Sequence, residues 1–70
     1  MGERFKIVGA PERRQELDTR MRFYNVRRVY FSYGDDYEDY VDIPEAQMTP
    51  ENVQRVVSDL VDTLLAVINL

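Results

Sequence analysis

Along "TPENVQRVVSDLVDTLLAVINL", residues 49–70, apolar side chains return every three or four positions. Val53, Val56, Val57, Leu60, Val61, Leu64, Val67 and Ile68 fall on one broad face of a helix, with Gln54, Arg55, Ser58, Asp59, Asp62 and Ala66 opposite. Thr49 suits the N-cap, Pro50 the first helical position, and Glu51 the first turn, where the helix dipole favours negative charge. Valine is a weak helix former, so this helix depends on packing its apolar face against another element. Leu65, at the edge of the apolar arc, and Leu70, on its far side, are more apolar than packing on one sheet requires. Both are candidates for contact with a partner.

Upstream the period changes to two. Val29, Phe31 and Tyr33 share one parity, and Arg28, Tyr30 and Ser32 the other; on the return, Val41 and Ile43 face one way and Tyr40 and Asp42 the opposite way. This predicts a hairpin that can start at Phe23 and that Pro44 either ends or confines to an edge. Matching apolar faces favours Phe31 opposite Val41 and Val29 opposite Ile43, with residues 34–38 as the connection. A tighter loop of Gly34, Asp35 and Asp36 keeps the same parity. "RFKIV" also alternates and suits a strand with Phe5 and Ile7 inward, whereas "GAPERRQELDTR" is polar and reads as a loop or as one helical turn opening at Pro11. The expected fold is α+β in one domain over residues 1–70: β-β-β-α, a three-stranded antiparallel sheet with the C-terminal helix across one face.

A chain of 70 residues has a thin core, burying only about 60 % of the surface its unfolded form exposes. Disulfides, metals or oligomerisation commonly supply the rest. The sequence has no cysteine and no histidine, which removes disulfides, thiolate metal sites and the commonest general base. Oligomerisation, or docking into a larger assembly, is the help that remains. Ile7–Val8 is too short for a signal-peptide core, Lys6 stands where myristoylation at Gly2 needs Ser or Thr, and Ser58, Asp59 and Asp62 interrupt the longest apolar stretch. The expectation is a cytoplasmic protein without a membrane partner.

Charge is split along the chain. Residues 1–28 hold eight basic against four acidic side chains, and residues 29–70 hold Arg55 against nine acidic ones, which together give the net −4. The split fits either a nucleic-acid-facing half or two segments that neutralise each other in the fold, and the second reading is favoured. "RMRFYNVRR" interleaves arginines with Phe23 and Tyr24 in the manner of a nucleic-acid surface, but the acidic total argues against nucleic acid as a partner.

The densest candidate chemistry is "YGDDYEDYVD", residues 33–42, with five carboxylates and three tyrosines. A pair of catalytic carboxylates needs a shielded cleft to separate the two pKa values, and a hairpin tip on so small a domain offers none. A calcium loop needs acids at alternate positions, a central glycine and a glutamate at the twelfth position, and "DDYEDYVDIPEA" has neither that spacing nor the glycine. No catalytic residue, cofactor or metal is therefore expected. Asp35, Asp36, Glu38 and Asp39, with Tyr33, Tyr37 and Tyr40, can instead either keep the hairpin soluble or imitate nucleic-acid phosphates before a basic protein groove. Tyr30 and Tyr40, beside Arg28 and Asp42 on the parity away from the apolar face, form either a contact surface or ordinary cross-strand pairs.

"DYVDIPEAQMTPENVQRVVSDLVDTLLAVINL", residues 39–70, resembles small uncharacterised proteins encoded by tailed bacteriophages. In these a strand ending in a "VDIP"-like segment precedes "TPENV" and a C-terminal amphipathic helix. The resemblance leaves out the arginine-rich first third and brings no catalytic residues. It implies a virion, assembly or host-interaction role, in the virion or the host cytoplasm. The leading expectation is a non-enzymatic subunit that binds protein, either its own copies or a larger assembly. The alternative is an acidic inhibitor that blocks a basic site on a host protein.

Overall fold

The computed structural model describes residues 4–70, so the rejected acylation site at Gly2 lies outside the described residues. Three strands, β1 (Phe5–Leu17), β2 (Phe23–Tyr33) and β3 (Tyr37–Pro44), are followed by a short 3-10 turn, Glu45–Gln47, and the helix α1, Pro50–Ile68. The strands form one antiparallel sheet with β2 in the centre. The α+β architecture matches the periodicity: strand where the apolar period is two, helix where it is near 3.6.

The hairpin adopts the tighter loop. Val29 stands opposite Val41, Tyr30 opposite Tyr40, Arg28 opposite Asp42 and Tyr33 opposite Tyr37, leaving residues 34–36 as the turn. The favoured Phe31–Val41 register is thus displaced by two residues, which preserves every side chain's face. Gly34 makes the shorter turn possible, with φ at +62°. The register it sets lets Tyr33 stack on Tyr37, with ring centroids 5.5 Å apart and 24° between planes.

The polar segment after Gly9 is strand, not loop or helical turn. β1 pairs with β2 in one register through Val8–Tyr30 and in another from Glu12–Arg28 to Leu17–Phe23. Between them residues 9–11 stand against Val29 alone, a bulge in which Gly9 takes φ +72°. Pro11, which has no N–H to donate, is tolerated at a bulge on an edge strand. At the β1–β2 turn the Asp18 carboxylate accepts the backbone N–H groups of Arg20 (2.8 Å) and Arg22 (2.9 Å).

The helix packs across the predicted face. Val29, Phe31, Tyr33 and Ile43 from the sheet meet Val57 and Val61 from α1. Thr49 caps the helix, its side chain accepting the Asn52 N–H at 3.2 Å. The packing stops short of the C-terminal turn, where Val67 and Ile68 are exposed against expectation. Val26 is 2 % exposed yet lies on the opposite parity, between Arg14 and Pro44 in the ladder, apart from the helix-side cluster.

Two features set the molecule's long axis. β3 ends with Pro44 opposite Val26, so β1 and β2 run on as a two-stranded arm through Gln15–Asn25, Glu16–Tyr24 and Leu17–Phe23. At the other end the helix's C-terminal half lies by the β2–β3 turn: Arg4, next to Phe5, binds Ser58 and Asp62, and Leu65 lies against Gly34. The result is elongated, 40 × 25 × 18 Å.

Candidate functional site

The uncovered face of the sheet is organised around Arg28. Its strand partner Asp42 receives two hydrogen bonds, 2.8 Å from Nε and 2.9 Å from Nη2, the bidentate fit of a guanidinium to a carboxylate. The guanidinium carbon lies 4.0 Å from the centroid of the Tyr40 ring, within cation–π range, and Tyr40 in turn meets Tyr30 at 6.0 Å and 56°. Glu16 from β1 approaches Arg28 at 3.9 Å. The hydrogen bond holds the Asp42 carboxyl below its ordinary pKa and raises that of Arg28, with desolvation opposing both shifts. Tyr30 is half-buried and Tyr40 is 47 % exposed, so this face presents fixed aromatic area with its central charges already paired.

"YGDDYEDYVD" separates into unlike parts. Tyr33 is in the core, not on display. Asp42 is taken by Arg28. Asp39 stands opposite Phe31 on the helix-side parity, half-buried, and its carboxylate accepts the Tyr40 N–H at 2.8 Å. Asp35, Asp36, Tyr37 and Glu38 remain outward, and the three acids make no ion pair among the described residues. No group of three carboxylates suited to a metal ion forms among the described residues.

The two leucines also part company. Leu65 is half-buried against the core cluster, whereas Leu70 is fully exposed beyond Val67 and Ile68. The helix end, rather than Leu65, is the apolar surface there.

Much of the basic first third is neutralised by the acidic remainder, as the favoured reading of the charge split has it. Arg28 pairs with Asp42, Arg27 and Arg13 approach Glu45 at 3.4 and 3.9 Å, and Arg4 pairs with Asp62. Arg20 has no ion-pair partner among the described residues.

The arm tip is the surface that the sequence reading missed. Met21 is 74 % and Phe23 71 % exposed; Leu17 is exposed on the same face as Phe23, and Tyr24 on the opposite face of the ribbon. Leu17 and Phe23 are ladder partners six positions apart, an adjacency that becomes visible once residues 12–17 are known to be strand. No described helix is long and apolar enough to cross a membrane. Comparisons with protein-family models, curated proteins and solved structures each return no match, which leaves the chain's own surface as the ground for a functional reading.

Proposed function

We propose that the protein is a non-enzymatic interaction module that works as an oligomer or within a larger protein assembly, docking through the arm tip and the Tyr30–Tyr40 face. The observation that carries this is the exposure of Leu17, Met21, Phe23 and Tyr24 together on a ribbon that extends past the third strand. A two-stranded ribbon is marginally stable by itself, and grouped large apolar side chains on it gain most when another surface covers them. Tyr40, held by Arg28, adds contact area whose side chain has little freedom left to lose on binding. A tailed-phage assembly, in the virion or the host cytoplasm, is a setting proposed from the resemblance of residues 39–70.

Native mass spectrometry and light scattering over a dilution series test the oligomer. The wild type should associate, and Met21→Ser with Phe23→Ser should shift it towards monomer with an unchanged far-ultraviolet circular dichroism spectrum. A wild type that stays monomeric at every concentration would end the reading as an oligomer. The acidic-inhibitor reading is supported by one observation, that Asp35, Asp36 and Glu38 have no ion-pair partner among the described residues. It predicts that Asp35→Asn, Asp36→Asn and Glu38→Gln together abolish salt-sensitive capture of a basic, nucleic-acid-binding protein; unchanged capture would dismiss it.

A further inference from the structure

The two ends of the long axis carry unlike charge beside apolar groups of similar size. At the arm tip Met21 stands between Arg20 and Arg22 and Phe23 follows at the start of β2, all four exposed. The acids towards the tip are engaged locally: Asp18 caps the turn and lies 3.4 Å from Arg22, Glu16 faces Arg28, and Glu12, further back on β1, pairs with Arg14. At the other pole Tyr37 is exposed among Asp35, Asp36 and Glu38, and Leu65, one turn before the exposed Ile68, lies against Gly34 of the same turn. The carbonyl end of α1 lies at that pole with no basic residue in its last turn, which adds negative potential. Among the described residues the cations nearby are Lys6 and Arg4; Arg4 is tied to Asp62, and Lys6 is exposed in the ladder row Lys6–Ser32–Glu38.

Resting on the proposal of self-association, we infer that the occupant of the arm tip is the acidic pole of a second copy of this chain. Met21 and Phe23 of one copy pack against Tyr37 and the helix end at Ile68 of the next, with Arg20 and Arg22 facing Asp35, Asp36 and Glu38. Like poles repel, so a tip-to-tip dimer is disfavoured. The unlike contact is either exchanged reciprocally in an antiparallel dimer or repeated head to tail into a ring or filament. Both arrangements contain the same interface.

A complementary charge exchange tests this. One chain carries Arg20→Glu and Arg22→Glu, the other Asp35→Arg and Asp36→Arg, and each is compared with the wild type by native mass spectrometry and sedimentation in low salt. Each variant alone should associate at least about tenfold more weakly than the wild type, because its two docking surfaces now have the same sign. An equimolar mixture should recover complexes that contain both chains in equal number, and added salt should weaken them. Circular dichroism checks folding, and Arg20→Glu alone repeats the arm test without disturbing the Arg22–Asp18 contact. Variants that associate like the wild type, or a folded pair that does not recover on mixing, would overturn the inference while leaving self-association intact. A wild type that never associates would instead overturn the reading as an oligomer on which it rests.

Discussion

Two phenylalanines of the same strand should lose very different amounts of stability on truncation. Phe31 is 0 % exposed at the centre of the core, and Phe23 is 71 % exposed on the arm. Removing a buried phenylalanine ring costs its transfer energy and leaves a cavity, together about 3–5 kcal/mol. A domain of 70 residues is stable by about 4–10 kcal/mol, so Phe31→Ala removes a third or more of the total. For Phe23 about three tenths of the residue's surface is withdrawn from water, which limits Phe23→Ala to about 0.5–1 kcal/mol, with no enclosed cavity to add. Urea unfolding followed by circular dichroism reads the difference. With a slope of about 1 kcal/mol per molar urea, Phe23→Ala lowers the midpoint by about 1 M or less and Phe31→Ala by about 3 M or more. Phe31→Leu, expected to cost about 1–2 kcal/mol, supplies a folded comparison should Phe31→Ala be unfolded in buffer. Working at low protein concentration keeps assembly from contributing to the Phe23 result. Equal losses for Phe23→Ala and Phe31→Ala would mean that the arm tip is packed, and the interaction surface drawn from its exposure would go with it.

Asp42 ionises more readily in the folded than in the unfolded chain, so its contribution is whole above the ordinary carboxyl pKa of about 3.9 and fades as pH falls below it. Asp42→Asn should flatten the acid limb of a stability–pH profile from about pH 4 downward, and a limb as steep as the wild type's would remove this pair as its cause. Gly34→Ala combines a φ of +62° with a Cβ 3.0 Å from the Tyr37 ring, whereas Gly9→Ala meets the same kind of backbone strain in open space. Thermal melts should show Gly34→Ala losing about 1–2 kcal/mol and Gly9→Ala about 1, and a reversed order would contradict the turn geometry. Leu65→Glu places a charge against the core cluster and should cost about 2 kcal/mol of stability in the monomer; an unchanged melting temperature would put Leu65 in solvent.

The fold class and the core face were legible because burial imposes a period. Val29, Phe31, Ile43, Val57 and Val61 are all on predicted apolar faces, and all are buried. The hairpin register was not fixed by that pattern, since a shift of two residues leaves every face unchanged. Turn chemistry at Gly34 and the contact of Arg28 with Asp42 distinguish the two registers, and neither contributes to hydrophobic periodicity. Residues 12–17 carried no strand signal for the complementary reason. Glu12, Arg13, Arg14 and Gln15 of this edge strand are all exposed, on both parities, so no alternation is required of them. The parity of Tyr30 and Tyr40 was legible, but the guanidinium lying on the Tyr40 ring was not, because it depends on the register.

How the charges are used bears on the two candidate surfaces differently. In the middle of the molecule arginines meet carboxylates of neighbouring elements: Arg28 with Asp42 of β3, and Arg27 with Glu45 of the 3-10 turn. The ends of the molecule differ from this. There, Arg20 at one pole and Asp35, Asp36 and Glu38 at the other have no ion-pair partner among the described residues, and each set borders exposed apolar side chains. Charge beside apolar area is the composition of an interface rim around its core. The Tyr30–Tyr40 face, whose central charges are already paired, gives a partner shape but little electrostatic selectivity. The poles offer both, and for that reason the charge-exchange pair discriminates more sharply than any substitution on the tyrosine face.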